Sequence, residues 1–185
     1  MGDIKRIVAI VGSLRQGSFN RTLARYAAWS QKKRADISIL EIDDVPFMNQ
    51  DIEFPAPEAV TRIRDAVTRA QGVWFFTPEY NSSFPAPTKN VVDWLSRPVV
   101  AGDYSTPRPL TQKPVAISGV GGKRRTASVR KSLFDLLSLI GATVIGADGE
   151  GFTVPGQTWQ TGRYDIPAED RARLDRQGEE FIAAL

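Results

Sequence analysis

The chain has 185 residues, with 24 Lys and Arg against 21 Asp and Glu, a net charge of +3, and neither histidine nor cysteine. That length fits one domain, residues 1–185, with a sizeable core, and so mild a basic excess falls well short of the charged stripe of a nucleic-acid-binding protein. Lacking both residue types, the chain has no disulfide, thiolate nucleophile, Cys/His zinc site or imidazole base, so any enzymatic chemistry must come from elsewhere. The N-terminal MGDIKRIVAIVGS holds only a short apolar run, and no run approaches a membrane span. The reading is a soluble, unprocessed, cytoplasmic protein with no membrane or nucleic-acid partner and no metal.

Residues 4 to 11 form a near-continuous run rich in Ile and Val, the pattern of a strand buried on both faces of a parallel sheet. A helix is expected from about Ser18 to Lys33, with Leu23, Ala24, Ala27 and Ala28 inward. Ile37, Ile39 and Ile42 mark a second strand, followed by the turn-prone DDVPFMNQD. Val60, Ile63, Val67 and Ala70 recur at helical spacing, and Gly72 stops that helix. GVWFFT, residues 72 to 77, reads as a buried strand running into the loop PEYNSSFPAP, and a helix follows from about Pro87 to Ser96.

The segment VVAGDYSTPRPLTQK is a long loop. PVAISGV, residues 114 to 120, is the next strand, ending in Gly121 and Gly122. Val129, Leu133, Leu136, Leu137 and Ile140 form a helical stripe ended by Gly141. Residues 143 to 146 read as a brief last strand, 147 to 166 as irregular, and 167 to 184 as a closing helix. Strand and helix thus alternate five times, which specifies an α/β fold with helices on both faces of a parallel sheet. Five strands in this length most simply give the flavodoxin-like order 2-1-3-4-5, whose ligand crevice lies at the carboxyl ends of the first and third strands.

That rule gathers three loops. In the first, Ser13, Ser18 and Asn20 offer hydrogen bonds, Arg15 a charged planar fork, and Gly12 and Gly17 close backbone approach, a phosphate grip. It lacks the G-x-x-x-x-G-K-[ST] and G-x-G-x-x-G patterns, so ATP and NAD are not its expected occupants. The same residues also read as a tight turn with a helix N-cap. In the second, Pro78 stiffens the strand exit, Tyr80 offers an aromatic surface, and Asn81 can bond the edge of a planar heterocycle; a strand-to-helix turn is the plainer alternative. The third, Ser118-Gly119-Val120-Gly121-Gly122, presents bare backbone N–H groups or a simple glycine turn.

Together these residues carry a resemblance. GSLRQGSFN resembles the G-S-x-R-x-x-S-x-N phosphate loop of the NAD(P)H-dependent FMN reductase family, which includes bacterial quinone and chromate reductases. TPEYNSSFPAPTKNVVDWLSRP is similar to that family's P-E-Y-N segment and following K-N-x-x-D-W-x-S-R-P helix, PFMNQD to its acidic turn, and SGVGG falls where its third flavin loop would be. The resemblance implies that Ser13, Arg15, Ser18 and Asn20 hold the FMN phosphate, with Phe19 among the cofactor-binding residues. It sets Pro78, Glu79, Tyr80 and Asn81 along the isoalloxazine, and Ser118, Gly119, Gly121 and Gly122 near its pyrimidine end.

It further implies an oxidoreductase that takes hydride from NAD(P)H and passes electrons to a quinone, chromate, azo or similar small acceptor, with Glu79 and Tyr80 as candidate acids. The resemblance implies a homodimer or homotetramer, and Phe84, Trp94, Val99 and Val100 read equally as apolar subunit contacts or as core. Two other readings stay open: a one-electron carrier of flavodoxin type, and a scaffold or regulator of the same fold that binds no flavin. Lys123, Arg124 and Arg125 read as the solvated basic start of a helix or as a site for a nicotinamide 2′-phosphate.

Overall fold

The computed structural model describes residues 4–185, so the first three positions of the N-terminal stretch lie outside it. β1 (Lys5–Val11), β2 (Ala35–Leu40), β3 (Gly72–Phe76), β4 (Pro114–Gly121), β5 (Thr143–Val144) and β6 (Glu150–Thr153) form one sheet of order β2-β1-β3-β4-β5, with β6 also on β4. Every strand pair is parallel. The flavodoxin-like order is the one expected.

Two-sided burial explains the continuous apolar runs, because alternate residues serve different cores. Ile7, Ala9 and Val11 of β1, with Trp74 and Phe76 of β3, pack against α1 (Phe19–Ser30) and α6 (Ala168–Ala183). Val8 and Ile10, with Val73 and Phe75, pack against α2 (Glu58–Arg69), α3 (Ala86–Leu95) and α4 (Ala127–Leu139). α1 ends at Ser30, short of Lys33, where Gln31 caps it and its amide donates to the Asp175 carbonyl at 3.2 Å. β2 stops before Ile42, which is buried beyond the strand against the α2 side.

The region read as irregular is corrected. The fifth strand is interrupted: β5 pairs with Pro114–Val115, the chain leaves the ladder, and β6 rejoins β4 from Ser118 to Gly121. The excursion takes positive φ at Gly146, Ala147 and Gly149 (77°, 53° and 76°). Arg130 of α4 secures it by donating to the Asp148 and Gly149 carbonyls at 2.9 and 2.6 Å. After β6 comes a further short helix, α5 (Gly156–Thr161).

Register places the site. Val11 pairs with Phe76 and Phe76 with Ser118, so β1 and β3 end level while β4 runs three residues further, to Gly121. Gly12 N–H donates to Phe76 O and Thr77 N–H to Ser118 O, both at 2.9 Å, so the ladder carries the first turn of each loop. A Cβ at Gly149 would overlap the Ile117 carbonyl oxygen in a backbone region that disfavours L side chains. Gly149→Ala is expected to cost about 2 kcal/mol or more in urea unfolding, whereas Gly102→Ala, equally left-handed but in open space, costs about 1 kcal/mol.

Candidate functional site

The three loops border one cleft of about 370 Å³ at the carboxyl ends of β1, β3 and β4. Ser13, Arg15, Ser18, Phe19, Asn20, Pro78, Glu79, Tyr80, Gly121 and Gly122 line it, joined by Val120, Trp159 and Gly162. Asn81, Ser118 and Gly119 do not.

In the first loop, Ser18 caps α1, its hydroxyl accepting from Arg21 N–H at 3.3 Å. No acidic residue occupies the first turn of α1, so the positive end of its dipole is left without a protein counter-charge. Arg15 is exposed, makes no ion pair among the described residues, and lies with its guanidinium carbon 4.4 Å from the Phe19 ring centre. Arg21 nearby is instead committed to Glu41 at 2.7 Å, a bond that raises the arginine's pKa and lowers the glutamate's. Asn20 is spent differently from the expectation: its amide donates to Val120 O at 3.1 Å and accepts from Val120 N–H at 3.0 Å. It therefore imitates a strand rung and ties the first loop to the third.

In the second loop, Asn81 and Ser82 both take left-handed φ (52° and 59°), and Tyr80 and Ser83 exchange two backbone bonds at 3.0 Å. That is a tight reversal with both central residues at positive φ, a conformation Asn tolerates well. It turns Asn81 out of the cleft lining and leaves Tyr80 half exposed on its edge. Glu79 reaches across to α4, where its carboxylate accepts from Val129 N–H at 3.2 Å. The residue at the N-cap of α4, Thr126, has φ 55° and makes no side-chain cap, so Glu79 supplies that missing cap from another loop.

In the third loop, Ser118 is fully buried; its hydroxyl accepts from Trp74 Nε1 at 2.9 Å and donates to Gln177 at 2.6 Å, which fixes β3, β4 and α6 together. A Cβ at Gly119 would lie 2.5 Å from the Thr77 carbonyl and overlap Thr126 Oγ1, so this glycine serves close packing. A Cβ at Gly122 would meet nothing within 4 Å, and the residue faces the open cleft. Lys123, Arg124 and Arg125 form an exposed turn ahead of α4, with Arg125 at φ 51°.

Trp159 and Gly162, which the sequence reading missed, come from α5 and its end. Trp159 meets Phe19 edge-on with ring centres 5.6 Å apart, and Tyr164 backs the same ring at 5.6 Å. Burial pushes the Tyr164 phenol well above its usual pKa, keeping it neutral. The available signal was a tryptophan in the polar, glycine-flanked run GQTWQTG.

The residues after the second loop support the site from behind. Asn90 accepts from Met48 N–H at 2.7 Å and donates to Pro46 O at 2.9 Å, and Trp94 Nε1 donates to that carbonyl at 2.8 Å. Arg97 holds Glu53 through two bonds of 2.9 Å. They pin residues 45–53 to α3. Trp94 is wholly buried, which removes it from the candidate subunit contacts.

An open parallel sheet with its crevice at the β1/β3 switch point, a polar loop and an uncompensated helix N-terminus beside it, defines a flavodoxin-like α/β protein with a site suited to an anionic ligand. The chain belongs to the NADPH-dependent FMN reductase family, whose pattern it matches over residues 5–150. It is 38% identical over 134 residues to a quinone reductase of Pseudomonas putida, covering 72% of each chain. A quinone reductase of Escherichia coli K12 is 35% identical over 153 residues, covering 76% of this chain and 75% of the other. Among solved structures, a flavoenzyme NAD(P)H:(acceptor) oxidoreductase from Paracoccus denitrificans superimposes with a TM-score of 0.84 at 26% identity, covering 97% of this chain and 96% of that one.

Because Glu79 bonds the first turn of α4, Glu79→Ala is expected to lower unfolding stability of the ligand-free protein by about 1 kcal/mol. Glu79→Gln, which keeps an acceptor oxygen but loses the charge, should recover part of that loss in the same urea titration.

Proposed function

We propose that the protein is an FMN-dependent NAD(P)H:quinone oxidoreductase with two half-reactions at one site. The observation that carries this reading is the meeting, in one cleft, of an unpaired Arg15 guanidinium, an α1 N-terminus without acidic residues and a lining of peptide and aromatic surface. A phosphate bearing nearly two negative charges suits the first two, and a flat ring suits the third. Open space at Gly122, where a Cβ would touch nothing, fits a ligand lying against that backbone.

In this reading Arg15, the hydroxyls of Ser13 and Ser18, and the α1 backbone hold the phosphate. Pro78, Glu79 and Tyr80 form the bed beside the ring, and the Gly121–Gly122 backbone faces its far end. Asn20 borders the cleft while tying the first loop to the third, and Asn81, Ser118 and Gly119 shape the walls from outside the lining. Bound FMN would supply the hydride chemistry, which no protein side chain carries. The protein's part is to orient the ring, to offer N–H groups where negative charge gathers, and to limit water. One carboxylate oxygen of Glu79 is bonded to α4, so the residue borders the ring and also positions the second loop, while Tyr80 offers its hydroxyl at the cleft edge.

Family membership supports the reductase over the one-electron carrier and the flavin-free scaffold. Quinones are the acceptor class that the relatives' names support, and chromate and azo compounds belong to the same proposal as acceptors reaching the same open face. Self-association as a dimer or tetramer is also proposed, with the exposed Val99, Val100, Tyr104 and Phe47 as apolar surface for it. No helix among the described residues is long and apolar enough to cross a membrane.

Two measurements test the proposal. With FMN bound, varying NADPH at several benzoquinone concentrations should give parallel double-reciprocal lines; no quinone-dependent NADPH or NADH oxidation contradicts it. Arg15→Ala should weaken FMN about 10- to 100-fold, the worth of one or more charge-assisted hydrogen bonds, and leave riboflavin affinity almost unchanged. Equal losses for FMN and riboflavin, or none, would contradict the phosphate assignment.

A further inference from the structure

We infer that Trp159 is a further cofactor-contact residue: its indole closes the phosphate end of the cleft and slows release of the bound flavin. This rests on the FMN reading of the cleft. Trp159 lies beyond residue 150, where the family match ends, so nothing in that match assigns it a role.

Three observations carry the inference. First, Trp159 lines the same cleft as Ser13, Arg15 and Ser18 while remaining 60% exposed. A large apolar face held open beside a charged grip is surface that a ligand can cover. Second, its position is set by Phe19. Its ring meets Phe19 at 5.6 Å, and Phe19 is also the ring beneath the Arg15 guanidinium at 4.4 Å, so indole and guanidinium share one neighbour at the phosphate end. Third, the strand that leads into α5 is fixed to the third loop: Thr153 pairs with Gly121, and Val154 N–H donates to Gly121 O at 2.8 Å. α5 therefore spans from the third loop to the first, and Trp159 is the side chain it sets over the gap.

Covering an aromatic face of this kind favours the bound state, and the gain falls mainly on dissociation because ligand must displace the indole contact to leave.

The test compares FMN release from reconstituted wild-type, Trp159→Ala, Trp159→Leu and Trp159→Phe proteins, read as recovery of flavin fluorescence on dilution. Release is expected to be about tenfold or more faster in the Ala variant and intermediate in Leu, with Phe within about threefold of wild type because it keeps a flat aromatic face. Loss of the Phe19 pair should lower the stability of the ligand-free Ala and Leu proteins by a similar amount, about 1 kcal/mol or less in urea unfolding, so slower release in Leu than in Ala separates a contact with the cofactor from a packing role for α5. Wild-type release rates in the Ala and Leu variants, or a Phe variant as fast as Ala, overturn the inference. Failure of wild-type protein to bind FMN overturns the cofactor reading as well, so the two failures are told apart.

Discussion

The site depends on keeping three loops together where the strands beneath them have stopped. β1 and β3 end level and β4 overshoots them, so the backbone ladder alone does not hold the first loop to the third. Asn20 bridges that step with the reciprocal pair of bonds a strand would make, giving one amide in exchange for both backbone groups of Val120. Glu79 bridges the second loop to α4 in the same manner, supplying a cap that Thr126, in its left-handed conformation, does not. Buried polar groups need such partners, and here their satisfaction also fixes the width of the cleft.

Motif residues consequently divide into two groups with different physical tasks. Ser13, Arg15, Ser18, Tyr80 and Gly122 present hydroxyl, guanidinium, aromatic and backbone surface to the cleft. Asn20, Glu79, Asn81, Ser118, Gly119, Asn90 and Trp94 build its walls: they bond backbone, reverse the chain or permit close contact. A sequence motif lists both groups side by side without distinguishing the residues that face the cleft from those that build it.

The fold was legible because burial on both faces leaves uninterrupted apolar strands, and because helix periodicity is visible in stripes such as Val60, Ile63 and Val67. The cleft was legible as a meeting of three loops once strand order was inferred. Hidden from the sequence were contacts that depend on distant partners. Ser118 looked like a loop hydroxyl until Trp74 and Gln177 enclosed it. The second half of the fifth strand, EGFT, has no long apolar run, because Arg130 and the left-handed residues before it, rather than its own pattern, return it to β4. Trp159 was obscured for the same reason, being carried to the cleft by that returning strand.

In the proposed reaction this cleft would hold FMN for reduction by NAD(P)H and reoxidation by a quinone. The most direct measurement is the visible spectrum of the FMN-reconstituted protein, freed of unbound flavin, followed anaerobically through addition of NADPH and then of benzoquinone. Protein-bound flavin bands should bleach fully with NADPH and return with the quinone. A protein that emerges colourless, or whose flavin bands persist when both NADPH and NADH are supplied, would contradict the proposed reaction.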